Sequence, residues 1–222
     1  MSKGCFIVID GGNGAGKGTC LSALEGHLRD QGLAVVMTRE PGGTGIGERI
    51  REILLDRSAS NMFDVTELML FAAARAQHVR EKIIPAINAG KIVVSDRFDS
   101  ATISFQHFGR GLSLELIKQL NDIAVDGVRP DMTIILDLDP VTGLERVVSR
   151  GSQLDRMEKE NVEFLQRARK GYLEQAKEDP DHFVIIDSSQ PREIVWQKAF
   201  DVADRVIAKA RESGTTRALG RC

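Results

Sequence analysis

The stretch from Phe6 to Cys20, FIVIDGGNGAGKGTC, decides the fold. It opens as an apolar run ending on Asp10 and passes into Gly11, Gly12, Gly14 and Gly16 before a single lysine, Lys17. Gly11, Gly16 and Lys17 fit the phosphate-binding pattern G-x-x-x-x-G-K-[ST] at every fixed position except the last, where Gly18 replaces the hydroxyl residue. The glycines let the backbone turn tightly after a strand and aim N–H groups inward. The helix expected from Lys17 adds the positive end of its dipole. Such a loop cradles a polyphosphate, with Lys17 as a point charge for the β and γ oxygens. Gly18 removes a direct magnesium ligand, yet Mg2+ commonly retains several waters and can be held indirectly.

Outward from this loop, short apolar runs recur at 5–10, 34–38, 91–96, 132–138 and 183–187. They are nearly continuous rather than alternating, as expected of strands covered on both faces. Helical spacing fills the stretches between, at 17–31, 65–89, 114–125 and 162–177. Alternating strand and helix predicts an α/β fold with a doubly wound, five-stranded parallel sheet, helices on both faces and the ligand site at the carboxyl ends of the strands. One domain over 1–211 is expected, with a tail from 212 to 222 that frays for want of apolar content. Segment 149–160 is highly charged and joins two helical patterns. It reads either as a solvated connection or as a mobile lid over the phosphates.

Composition narrows the function. In 222 residues, 30 basic against 32 acidic side chains leave a net charge of -2, which lacks the broad positive face of a nucleic-acid binder. Cys5, Cys20 and Cys222 match neither a disulfide framework nor a zinc site, so two core residues and a tail thiol are expected. No apolar run approaches the ~18 residues needed to span a bilayer, and the start of the sequence carries no secretory pattern, so a cytoplasmic location is expected. The histidines at 27, 78, 107 and 182 form no metal-like cluster. No N-K-x-D guanine motif occurs.

A second candidate site follows the run ending at Asp96. A carboxylate at the end of a buried strand is costly unless it meets a cation or donors. Asp96 is placed to hold hydrated Mg2+, and Arg97 beside it to bridge phosphoryl groups; an ordinary Asp–Arg turn pair is the alternative.

Two resemblances sharpen this reading. The loop GAGKGT is similar to that of adenylate kinase and its relatives, which carry the same glycine and are active kinases; Thr19 would then serve the α-phosphate. The blocks TREPGGT (38–44), LMLFAAARAQH (68–78), DRFDSATISFQHFGRGL (96–112), RPDMTIILDLDP (129–140) and LDRMEKE (154–160) resemble, in order, the motifs of bacterial thymidylate kinases. That resemblance implies a P-loop NTPase fold, usually homodimeric, which transfers the γ-phosphoryl group of ATP to dTMP. It implies ATP contacts along the loop from Gly11 through Asn13, Ala15, Lys17 and Gly18 to Thr19. On the acceptor side it implies that thymine stacks on Phe71 and bonds Arg75, and that Thr102 and Gln106 meet the base edge and sugar. Arg51 and Arg97 would hold the dTMP phosphate, and Glu40 would lie near the acceptor, before a cis Pro41. A loop without arginine implies a helper arginine in the lid, Arg150 or Arg156.

The chain departs from this family's usual residues at four places. Asp10 is shorter than the usual Glu, Asn13 replaces an acid that meets the sugar 3′-hydroxyl, Ala101 replaces Ser, and Phe105 replaces a Tyr that sits against the deoxyribose. These leave two alternatives: a kinase for dUMP or dCMP, or a nucleotide-binding protein without catalysis.

Overall fold

β1 (Cys5–Gly11) is buried along its whole length, and its side chains alternate between two cores. Cys5, Ile7 and Ile9 pack on one face, under α1 (Lys17–Asp30) and α9 (Arg192–Leu219). Phe6 and Val8 pack on the other, against Val79, Ile83, Phe98 and Val125. This is why the run reads as continuously apolar: both faces of the strand are covered. The structure is a computed structural model describing residues 4–59, 61–149, 151 and 154–219.

β2 (Val35–Arg39), β3 (Ile92–Asp96), β4 (Met132–Asp137) and β5 (Phe183–Asp187) complete one all-parallel sheet in the order β2-β3-β1-β4-β5. The chain leaves β1 for the far edge, returns through β3 and then crosses to β4, so the switch in winding falls at β1. In the register of β1 with β3, Ile9 lies opposite Asp96. The glycine loop and the Asp96–Arg97 turn therefore emerge side by side, in the crevice where open α/β sheets bind ligands.

Five strands and the helices expected at 17–31, 114–125 and 162–177 are present within about one residue, as α1, α6 (Leu114–Val125) and α8 (Val162–Glu178). The long helix expected over 65–89 is instead three pieces: α3 (Asp64–His78), a π-helical turn Val79–Ile83, and α4 (Ile84–Asn88), whose first turn takes Pro85. Proline has no N–H to give to the helical ladder and clashes with the carbonyl four residues back, which the wider turn accommodates. A second π-helical stretch, Ile103–Gly109, continues α5 (Asp99–Thr102). α2 (Gly45–Leu55) and α7 (Pro140–Ser149) were not read from the sequence. α9 runs on to Leu219, through most of the tail expected to begin at 212. Residues 220–222, with Cys222, lie outside the described residues, as does Arg150. Burial pushes the Cys5 and Cys20 thiols up to about 12, which keeps them protonated core residues.

Candidate active site

The glycine loop closes on the first turn of α1. Gly16 caps that helix in the left-handed conformation, and the first helical bond runs from Cys20 N–H to the Gly16 carbonyl at 3.0 Å. The amides of Lys17, Gly18 and Thr19 are thus the helix's first donors, beyond the reach of its own carbonyls. Lys17 Nζ donates to the carbonyls of Gly11 and Gly12 at 3.0 and 2.8 Å, which folds the lysine over its own loop. Gly14, at φ 73°, lies so close to α7 that a Cβ there would fall 2.1 Å from the Gly143 carbonyl. Gly18 differs: a Cβ there would meet nothing within 4 Å. Thr19 is exposed and bonds only locally, its Oγ1 donating to the Gly16 carbonyl.

One cavity of about 340 Å³ joins this loop to the second candidate site. Asn13, Gly14, Gly16, Lys17 and Gly18 form one wall. Glu40, Arg51, Phe71, Arg75, Asp96, Arg97, Thr102, Phe105 and Gln106 are among the residues that line the remainder, so every acceptor-side residue expected from the sequence lines it except Asp10. Gly11, Gly12, Ala15 and Thr19 lie in the loop but not on this wall.

Asp10 needs a correction. It is fully buried, and its carboxylate is occupied: Oδ1 accepts from Gly11 N–H (2.8 Å), Arg97 Nη1 (3.0 Å) and Tyr172 OH (2.6 Å), and Oδ2 from Ser100 Oγ (2.7 Å). It stands behind Arg97 and reaches a ligand only through it. Arg97 also donates to Tyr172 OH at 2.8 Å and to Asn13 Oδ1 at 3.3 Å, and lies over the Phe105 ring at 5.1 Å. Burial alone would lower its basicity, but Tyr172, Asp10, Asp96 and Asp155 outweigh that and hold the guanidinium charged. Its φ of 69° places a non-glycine residue in the left-handed region, a cost on the order of 1–2 kcal/mol, fixed by Arg97 N–H on the Ile9 carbonyl and Ser95 Oγ on the Arg97 carbonyl. Arg51 is anchored by the Pro41 carbonyl at 2.9 Å, after the cis Glu40–Pro41 bond. Burial and the neighbouring Arg39 pull its basicity down.

Arg75 is 1% exposed and makes four bonds: Nε to Glu40 Oε2, Nη1 to Asn121 Oδ1, and Nη2 to the Phe98 carbonyl and Thr102 Oγ1. His78, assigned no role from the sequence, holds the other Glu40 oxygen at 2.9 Å and meets Thr38 Oγ1 at 2.6 Å. Gln106, 1% exposed, donates to Glu67 Oε1 at 2.8 Å.

Two polar atoms of this cavity's residues are buried without a hydrogen-bond partner: Asp96 Oδ1 and Asn13 Nδ2. A bare carboxylate oxygen beside a phosphate loop fits a hydrated divalent cation, since Mg2+ is typically held by one or two carboxylates with substrate oxygens and water. Among the described residues there is no cluster of three or more acidic, histidine or cysteine ligands for an all-protein metal cage.

The charged segment also differs from expectation. Arg156 does not line the cavity: its Nε donates to the Leu54 carbonyl at 2.8 Å, and its Nη2 lies 2.5 Å from Glu67 Oε2. That second contact lies outside hydrogen-bond angles, so charge holds it. The cause is Glu67, a carboxylate 1% exposed that captures the nearest cation. The segment contributes Asp155, Met157 and Glu158 to the cavity instead. Tyr172, the chain's single tyrosine, was missed because it lies 162 positions from its partner Asp10.

Comparison with known proteins gives one family. The model described as thymidylate kinase matches residues 9–199. The thymidylate kinase of Geotalea uraniireducens (strain Rf4) is 47% identical over 192 residues, 84% of this chain and 90% of that protein. That of Geobacillus sp. (strain WCH70) is 45% identical over 195 residues, covering 87% and 93%. A crystal structure of thymidylate kinase from Ehrlichia chaffeensis matches with TM-score 0.73 at 33% identity, over 91% of this chain and 99% of that one.

Proposed function

The chain belongs to the thymidylate kinase family and phosphorylates dTMP, and we propose that it does so within the single cavity between the glycine loop and Arg97, with Mg2+, as a cytoplasmic homodimer. The observation that carries the site assignment is the continuity of that cavity. Phosphate-loop residues and the Arg51–Phe71–Arg97–Gln106 wall face one space, so donor and acceptor can meet without crossing water.

In this reading the α1 amides and Lys17 take the ATP phosphates, exchanging the Gly11 and Gly12 carbonyls for phosphoryl oxygens. Arg97 and Arg51 hold the dTMP phosphate. Phe71 stacks under the base, Arg75 and Thr102 meet its edge, and Gln106 and Asn13 face the base and sugar. Glu40 orients Arg75 and is itself fixed by His78. The attacking oxygen belongs to a phosphate whose second proton is lost near pH 6, so no side chain need act as general base. Catalysis is then positioning plus charge neutralisation. Asp96 would hold Mg2+ through its unpartnered oxygen, where the ion supplies charge neutralisation to the phosphoryl oxygens. Arg156, committed to Glu67, is poorly placed to act on the γ-phosphate, which leaves Arg150 as the helper arginine.

Homodimer formation is supported by exposed apolar side chains on adjoining helices and the turn before them: Ile46 and Ile53 on α2, Phe63 at 82% exposure, Met69 on α3, and Ile123 on α6 at 71%. The cytoplasmic assignment rests on the ATP the reaction consumes; no described helix is long and apolar enough to cross a membrane. The test is coupled ADP release with ATP and Mg2+ across dTMP, dUMP and dCMP. dTMP is expected to be preferred, and Lys17→Ala to lower kcat by on the order of 10² or more while the protein stays folded. Release unchanged by that substitution removes the loop from the mechanism.

A further inference from the structure

Glu67, a buried acid outside the cavity wall, meets three side chains, Gln106, Arg110 and Arg156, from two separate stretches of the chain. It sits on α3, one helical turn before Phe71, with its side chain 1% exposed. Oε1 accepts from Gln106 Nε2 at 2.8 Å and Arg110 Nε at 3.2 Å; Oε2 accepts from Arg110 Nη2 at 3.1 Å and faces Arg156 Nη2 at 2.5 Å. Arg110 reaches back to Glu160 Oε1 at 2.6 Å and lies over the Phe164 ring at 4.6 Å. Arg156 caps the last turn of α2 at the Leu54 carbonyl, and α2 carries Arg51 and Leu55 into the cavity. Burial alone would raise the Glu67 pKa, but the Arg110 hydrogen bonds and charge, with Gln106 and Arg156, hold it below the usual carboxylate range.

From this geometry we propose that Glu67 is a positioning residue for the acceptor nucleotide. One carboxylate seats segment 154–160 on α2 and α3 and, with its other oxygen, sets the Gln106 amide in the cavity wall. The two tasks share one carboxylate. If the segment lifts, Arg156 leaves Glu67 and Arg110 loses Glu160, so Glu67 is left buried with fewer donors. If the segment docks, Asp155, Met157 and Glu158 close one side of the cavity while Gln106 is held in place on another. Seating of the segment and assembly of the dTMP wall are therefore one event. The ATP side is not part of this network, because none of these contacts reaches the glycine loop. The inference rests on reading the cavity as the dTMP site.

The test compares the parent with Glu67→Gln, Arg156→Gln and the double variant. Glutamine keeps the shape of Glu67 and a carbonyl for Gln106 but offers no charge to the arginines. The KM for dTMP is expected to rise about tenfold in each single variant, with kcat and the KM for ATP within about twofold of the parent. Trypsin is expected to cut faster after Lys159 in both. The double variant should show no more than the larger single effect, because both changes break one link. An unchanged dTMP KM in the single variants despite faster cleavage overturns the coupling. A parallel rise of both KM values with a lowered Tm reduces Glu67 to a support of the fold. A parent that fails to phosphorylate dTMP removes the substrate reading, and this inference with it.

Discussion

Tyr172→Phe removes one oxygen from the buried network behind Arg97 and leaves its ring contacts in place. The phenol OH donates to Asp10 Oδ1 at 2.6 Å and accepts from Arg97 Nη1 at 2.8 Å, in a position 2% exposed. A hydrogen bond to a charged partner contributes about 1.5–3 kcal/mol. Neither ion is stranded by the change, since Asp10 keeps Gly11 N–H, Ser100 and Arg97, and Arg97 keeps Asp10 and Asn13. The expected loss is therefore about 2–3 kcal/mol rather than the sum of two bonds, or about 4–12 °C in Tm for a chain of this size. Arg97 also loses one of the contacts that fix its fork, so the KM for dTMP should rise severalfold while that for ATP holds. Urea unfolding and ADP-release kinetics measure the two effects. Ser100→Ala is the control: Ser100 bonds Asp10 Oδ2 and not Arg97, so it should cost stability without changing the dTMP KM. A stability change below about 0.5 kcal/mol for Tyr172→Phe, the range of an ordinary surface substitution, would refute the network as drawn.

Three further outcomes are expected. Asp96→Asn should raise the Mg2+ concentration needed for half-maximal activity, whereas Gly18→Ser, with open space for its side chain, should leave it unchanged or lower it; a magnesium titration of both variants decides. Because Glu67 titrates below its ordinary value near 4.5, its contribution to stability is full above that pH and is lost as pH falls through the folded value. Glu67→Gln should accordingly flatten the fall in urea-unfolding stability below about pH 4.5, and equal slopes in parent and variant would show that the carboxylate is not held in its charged form. Asn13 gives its oxygen to Arg97 and keeps a buried amide N–H2 without a partner, a donor where a carboxylate could only accept. Relative kcat/KM for a 3′-azido analogue against dTMP should thus be higher in the parent than in Asn13→Asp, and an unchanged ratio would mean that Asn13 does not reach the sugar.

The parts of this molecule legible in the sequence are those governed by near neighbours. Doubly covered strands announce themselves as unbroken apolar runs, and the glycine loop is fixed by spacing alone. The acceptor wall was legible only because its motifs come as distinctive blocks; taken singly, Phe71 or Thr102 reads as an ordinary helix residue. What escaped depends on distant pairing. Nothing local to Arg156 shows that it will be claimed by Glu67, and nothing local to Asp10 shows that Tyr172 and Arg97 will enclose it. The wide turns at 79–83 and 103–109 escaped for another reason, since their apolar spacing resembles that of an α-helix while their hydrogen bonds skip one residue further.

The contact between Gly14 and Gly143 has a mechanical meaning. With no side chain between them, the phosphate loop and α7 touch backbone to backbone, and neither can shift without carrying the other. α7 ends at Ser149, immediately before Arg150 in the chain. The chain that continues from α7 is thus rooted on the glycine loop rather than on the far rim. A displacement of the glycine loop therefore carries α7, to its end at Ser149, along with it.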